Sequence, residues 1–223
     1  VLKLCKYSMT SDITLTFNLS PQPRVFQLQV NLPYRVEDII AELENENWVP
    51  PVETTMWPDH KWAAVRFKVC PPSAHSKILW QISNFFSSDK LKRQVVNHLF
   101  ENIPGFDVEY MMNADQLCSK TIFHGEFTKD MPGFVNVMHT DYRLLVATGM
   151  VYFSTIDNPD ISSYFYTSAQ RDNPFRMSTE FGRGWFHANG NDTYHEGWNR
   201  TDQVRYSCLL GLTLNVTPVA SRT

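Results

Sequence analysis

The sequence predicts an antiparallel β sandwich or barrel with a helical layer against one outer face. Two observations lead to that class. From about residue 119 the chain runs as short β-rich segments punctuated by Gly, Pro, Asn and Asp. They place strands near 119–127, 133–141, 144–154, 162–169, 183–188 and 203–216. Upstream of about residue 128 the texture is mixed, with two alternating segments and a long helical stretch.

The upstream elements follow in order. Ile13–Phe17 and Val25–Val30 alternate with period two and read as strands. Val36–Leu43 is a short helix. Residues 76–102 read as helix broken near Ser87-Ser88, with Asp89 placed to cap the second piece. Leu91, Val95, Val96, Leu99 and Phe100 give that piece one apolar stripe. No repeat or Gly/Ser linker interrupts the chain, so one domain is expected over 1–223, with 1–118 supporting a β core over 119–216.

Composition narrows the function. Apolar residues are 43%, charged residues 19% and the net charge is −3, which fits a folded protein without a nucleic-acid or anionic-membrane partner. No apolar run approaches the roughly 20 residues that span a bilayer. The first residues lack the charged-then-apolar layout of a signal peptide. Cys5, Cys70, Cys118 and Cys208 are scattered, which suits reduced, mostly buried thiols rather than a zinc site or disulfide framework. A cytoplasmic location is therefore expected. Glycosylation-type triplets at Asn18, Asn191, Asn199 and Asn215 read as chance, because two of them flank His195.

The chemistry-bearing residues lie in the second half. Residues i and i+2 of a strand share a face, so His139 and Asp141 point the same way. With a second imidazole from a neighbouring strand they would form the two-histidine, one-carboxylate face that suits Fe(II) and leaves positions open. His124-Gly-Glu126 offers a similar pair, and either triplet alone reads equally as a partly exposed polar strand face. Context downstream separates them. His195 and Arg205 lie ten residues apart, and alternation through 204–208 puts Arg205 and Ser207 on one face. A guanidinium turned into a β barrel needs an anion, either a ligand carboxylate held bidentately or an internal Asp or Glu.

These residues resemble the Fe(II)/2-oxoglutarate oxygenase superfamily, within it the prolyl 4-hydroxylase-like branch. The pattern is His139-Thr-Asp141, fifty-six residues to His195, then Arg205-Tyr-Ser207. Lys129-Asp-Met-Pro-Gly-Phe134 is similar to the branch's lead into the metal strand, and Thr148-Gly-Met-Val-Tyr-Phe153 to the strand after it. Asn191-Asp-Thr-Tyr-His195-Glu-Gly197 is similar to the lead around the second metal histidine. The likeness covers roughly residues 121–216. Phe134 stands where Tyr is common, and Glu196 is an unusual neighbour that could orient the imidazole before it.

The resemblance implies a double-stranded β-helix (jelly roll, cupin-like). It implies Fe(II) on His139, Asp141 and His195, with 2-oxoglutarate and O2 as co-substrates. Arg205, Ser207 and Tyr152 would hold the distal carboxylate of 2-oxoglutarate. The implied reaction hydroxylates an unactivated C–H bond and releases succinate and CO2. Retention of Asp141 argues against halogenation. The substrate is open between a prolyl residue of a peptide or protein and a small molecule. Candidate substrate contacts are Arg143, Trp198 and His187, together with the polar segment 156–182 and its Arg171, Arg176 and Arg183. His187 sits eighteen residues before Arg205, a poor fit to the second ligand, and is assigned to the pocket edge or to structure. Two other classes remain: a cupin-like metalloenzyme without 2-oxoglutarate, and a binding module that has lost its chemistry.

Overall fold

A computed structural model describes residues 13–49, 66–141, 144–154, 157–190 and 192–215. The helices are α1 (Val36–Glu44), α2 (Lys77–Phe86), α3 (Asp89–Asn102), α4 (Phe106–Tyr110) and α5 (Ala114–Lys120). The early strands are β1 (Thr14–Leu19), β2 (Val25–Asn31) and β3 (Arg66–Val69). The later ones are β4 (Thr121–Asp130), β5 (Val135–His139), β6 (Leu145–Tyr152), β7 (Ile161–Tyr166), β8 (Phe175–Arg176), β9 (Arg183–Ala188), β10 (Tyr194–Asn199) and β11 (Arg205–Leu214).

Two antiparallel sheets face one another. The larger has the order β1-β2-β9-β6-β11-β4-β3 and the smaller β5-β10-β7-β8. From β4 to β11 consecutive strands alternate between the sheets, apart from the short β8 that stays beside β7, which is the winding of a jelly roll. Alternation along the larger sheet divides its side chains into two sets. Phe26, Leu28, Phe123, Phe127, Val151, Phe186, Cys208 and Leu210 meet Leu79, Phe86, Leu91, Val95 and Leu99 of α2 and α3 in the main core. The opposite set contributes Val25, Met150, Tyr152 and Trp185 to a smaller cluster between the sheets, with Phe165 and Met177. That inner cluster forms the floor of the site.

Local details depart from the sequence reading where capping or pairing decides. Ser88, not Asp89, caps α3, its hydroxyl accepting from Leu91 N at 3.2 Å. Glu42 of α1 serves the start of α2, accepting from Ile78 N and Leu79 N at 3.2 and 3.0 Å. These are orphan N–H groups that Ser76 does not reach with its own side chain. Strands β3, β8 and β10 and helices α4 and α5 are additions to the expected elements; β3 exists because residues 66–69 find β4 as a partner, and β10 because it pairs with β5 and β7. The 119–127 segment shifts to Thr121–Asp130, since α5 occupies residues through Lys120. Asn199 is fully buried, donating to Asp130 O and Gln203 O, so its triplet is no glycan acceptor. Cys118 and Cys208 are buried thiols, while Cys70 is free and exposed. No helix among the described residues is long and apolar enough to cross a membrane.

Candidate metal centre and anion pocket

Antiparallel pairing of β5 with β10 sets His139 directly opposite His195. Asp141, two residues past His139 on the same side, completes a group whose ligand atoms all lie within 4.8 Å of one another. It is the one such cluster of metal-ligating residues among the described residues. Asp141 Oδ1 is 3.4 Å from His139 Nε2 and 3.7 Å from His195 Nε2. Metal–ligand bonds of roughly 2.0–2.2 Å leave adjacent ligand atoms about 3 Å apart, so small side-chain movements bring these three atoms onto one ion.

The backbone fixes which ring nitrogen each imidazole presents. His139 Nδ1 is 2.8 Å from Val137 O, and His195 Nδ1 is 3.4 Å from Thr193 O. A carbonyl only accepts, so Nδ1 carries the proton and Nε2 offers its lone pair inward. Burial, helped by the neighbouring imidazoles, outweighs the opposing Asp141 charge and pushes the His195 pKa down to about 3. Burial also opposes a charged His139, but the Asp141 carboxylate and the Val137 carbonyl outweigh it and raise that pKa. Burial would raise Asp141; the three surrounding imidazoles overcome it and hold the carboxyl well below its usual range. Once a metal displaces the proton that His139 holds, the group is two neutral imidazoles and one anion, the donor set that suits Fe(II).

The cluster opens into a cavity of about 450 Å³ walled by Phe134, Met150, Trp185 and Leu209 and reached by Thr148, Ser163, Arg66 and Arg205. Thr148 Oγ1 is buried without a hydrogen-bond partner among the described residues. At the far wall, Arg205 is 2% exposed and does meet an internal carboxylate. Its Nε donates to Asp130 Oδ2 at 2.8 Å, and its Nη2 makes a close contact with the same oxygen. Arg66 binds the other side of Asp130, Nε to Oδ1 at 2.5 Å and Nη2 to Oδ2 at 2.8 Å.

Other expected positions fall differently. Ser207 Oγ is engaged with Thr128 Oγ1 at 2.6 Å. The Tyr152 hydroxyl accepts from Trp185 Nε1 at 3.0 Å and shares a proton with Ser163 Oγ at 2.8 Å. Glu196 does not orient His195: it lies on the other face of β10, where Tyr166 and Arg171 take its carboxylate. Trp198 also stands on that outer face, stacked on Tyr164 at 4.7 Å with the Arg200 guanidinium 4.1 Å above it. Arg176 pairs with Asp157 at 2.5 Å, and Arg183 lies 3.9 Å from Glu180. Arg143 lies outside the described residues. Glu126 of the rival triplet pairs with Lys68 at 3.1 Å, and neither it nor His124 joins the cluster.

His187 is closer to the centre than its spacing suggested. Opposite Thr148 in the sheet, it is fully buried, with its ring centroid 4.8 Å from that of His195 and Nε2 3.2 Å from Asp141 Oδ2. Neither of its ring nitrogens completes a hydrogen bond among the described residues. Two further residues, Arg66 and Asp130, escaped the sequence reading. Period-2 alternation in Arg66-Phe-Lys-Val69, ended by Pro71-Pro72, was the available signal, but four residues are too short to stand out.

No protein-family model matches this chain, and no curated protein matches it in sequence. Solved structures match its fold. A Pseudomonas putida prolyl-4-hydroxylase superposes with a TM-score of 0.52 at 12% identity, covering 86% of this chain and 94% of that one. A Trichoplax adhaerens prolyl hydroxylase, solved with a peptide fragment of the hypoxia-inducible factor oxygen degradation domain, gives 0.52 at 11% identity, covering 86% and 84%. AviO1 of Streptomyces viridochromogenes gives 0.52 at 8% identity, covering 89% and 92%. The fold is therefore that of the prolyl 4-hydroxylases, the branch whose motifs residues 121–216 resemble.

Proposed function

We propose that this chain is an Fe(II)- and 2-oxoglutarate-dependent oxygenase that hydroxylates an unactivated C–H bond. The observation that carries the reading is the convergence of His139, Asp141 and His195 within 4.8 Å, at one end of a cavity whose far wall carries Arg205. With Fe(II), 2-oxoglutarate and O2 bound, such a centre supplies oxidation of a C–H bond while the keto acid leaves as succinate and CO2. The chain's own residues position and shield. His139 and His195 present Nε2, and Asp141 supplies the anionic ligand. Arg205 holds the distal carboxylate of the co-substrate, with Ser207 and Tyr152 bracing the strands around it. Phe134, Met150, Trp185 and Leu209 keep the cavity apolar and limit water near the metal. A prolyl peptide or a small molecule is the substrate; the peptide bound to the Trichoplax adhaerens enzyme, on the same fold, supports the former.

One observation favours a second reading. Arg205 already has a carboxylate partner in Asp130, as it would in a cupin-like metalloenzyme where this arginine is purely structural. Titration with Fe(II) and 2-oxoglutarate under nitrogen separates the two. The oxygenase gives a visible charge-transfer band that is absent in His139→Ala and Asp141→Ala and weakened in Arg205→Ala. Tight metal binding without that band, or turnover untouched by Arg205→Ala, establishes the cupin-like reading instead. Succinate release against peptides and small metabolites then identifies the substrate.

A further inference from the structure

Among the described residues, the charges at the far wall do not balance. Asp130 is fully buried and provides one negative charge, while Arg66 and Arg205, 6% and 2% exposed, provide two positive ones. Lys68, which also lines the cavity, is matched by Glu126 at 3.1 Å. The two guanidiniums sit over the Phe134 ring, at 4.2 and 5.3 Å, and Arg205 lies 5.7 Å from the Tyr152 ring. Such surroundings screen charge poorly. A guanidinium has five N–H donors. Asp130 takes two from each fork and Trp198 O lies 3.5 Å from Arg205 Nη1, so each fork keeps donors without a partner among the described residues. A surplus cation in a buried wall is costly unless an anion meets it.

We propose that Arg66 is a second guanidinium of the co-substrate site, and that the pocket selects a dicarboxylate through the one positive charge left when Arg66 and Arg205 share Asp130. The proposal rests on the oxygenase reading and adds a specificity-determining residue to it. Strand β3 then has a functional purpose: it carries Arg66 to the register position opposite Asp130, which is itself opposite Arg205 on β11. Asp130 is the fixed counter-ion that aligns both forks. The keto-acid end of the ligand goes to the metal cluster and the distal carboxylate to the arginine pair. A ligand ending in a methyl group would leave the surplus charge unmet.

The test counts charges. Dissociation constants for 2-oxoglutarate and 2-oxopentanoate, which has the same carbon chain but ends in methyl, are measured by calorimetry with Mn(II) in place of iron. Wild type carries a surplus of one, Arg66→Gln a surplus of zero, and Arg66→Gln with Asp130→Asn a surplus of one again. The single variant should bind 2-oxoglutarate about tenfold more weakly, the scale of one lost charge-assisted contact, and 2-oxopentanoate nearly unchanged. The double variant should recover most of the loss. Unchanged 2-oxoglutarate binding in Arg66→Gln overturns the proposal. So does a double variant as weak as the single one, which would make Arg66 only a prop for Arg205. Near-UV circular dichroism confirms folding, and Arg66→Met replaces the Gln variant in both comparisons if that does not fold. Wild type binding the two acids equally, or neither, would instead count against the oxygenase reading itself.

Discussion

His139 and His187 address opposite oxygens of Asp141: His139 Nε2 is 3.4 Å from Oδ1 and His187 Nε2 is 3.2 Å from Oδ2. If Oδ1 faces a metal, Oδ2 requires a donor of its own, and it is buried without a completed hydrogen bond among the described residues. A small rotation of His187 supplies that donor. Replacing His187 by Leu should weaken Mn(II) or Fe(II) binding by roughly ten- to a hundredfold, the usual effect of losing a partner to a ligand. His187→Gln, which can still donate, should recover part of it. Metal affinities of the three proteins decide this; equal values would reduce His187 to packing.

The two ligand imidazoles differ in how they respond to pH. His139 is raised above the ordinary 6.5 and His195 pushed down to about 3, so near pH 6.5 only His139 holds a proton that a metal must displace. Metal affinity should therefore climb as pH rises through 6.5 and level off above the raised His139 value. Calorimetry near pH 6.5 in two buffers of different ionisation enthalpy should find more than half a proton, and no more than one, released per metal; two or none contradicts the assignment. For folding of the metal-free protein the signs run otherwise. The stability His139 gains from Asp141 is full below 6.5 and disappears as pH rises through its raised value. The contribution of His195 is full above 6.5 and is lost as pH falls towards 3.

Glu196 tests how far the centre extends. Its carboxylate is bound by Arg171 at 2.8 Å and by the Tyr166 hydroxyl, on the face of β10 away from His195. Burial and the Glu196 charge both raise the Tyr166 hydroxyl, so the carboxylate is the acceptor of that pair. Glu196→Gln should leave metal affinity within about twofold of wild type, since a positioning partner of a ligand would cost far more. The same substitution should loosen the segment around Arg171, read as faster amide exchange there. A large loss of metal affinity would restore Glu196 to the centre.

How much of this was legible follows from the range of each signal. Most strands of the β core announce themselves because they alternate and end in turn residues; β8, only two residues long, and the polar β10 do not. The metal cluster was legible because two of its members are i and i+2 at the end of one strand. What stayed hidden depends on partners distant in sequence. Arg66 and Asp130 are 64 residues apart and meet only because β3 pairs with β4. His187 was set aside on spacing, yet spacing along the chain is silent about the register that puts it opposite Thr148. Arg205 illustrates the same limit: the sequence required an anion, offering a ligand or an internal acid, and folding supplies Asp130 while leaving Arg66 to restore the surplus. Helices α4 and α5 are too short and polar for a periodic stripe.

Tyr152 is where resemblance and geometry pull apart, and one substitution separates them. Its hydroxyl is fully buried, accepts from Trp185 Nε1 at 3.0 Å and shares a proton with Ser163 Oγ at 2.8 Å. Ser163, not Tyr152, lines the cavity. Tyr152→Phe keeps the ring against Arg205 but strands the Trp185 donor in an apolar cluster, a loss of about 1–3 kcal/mol for an unsatisfied buried group. For a chain of this length each kcal/mol lowers Tm by roughly 2–4 °C. The variant should therefore melt several degrees lower while binding 2-oxoglutarate within about threefold of wild type. The opposite result, an unchanged Tm with co-substrate binding reduced tenfold or more, would mean that the hydroxyl turns from Trp185 and Ser163 to the ligand carboxylate when the pocket fills.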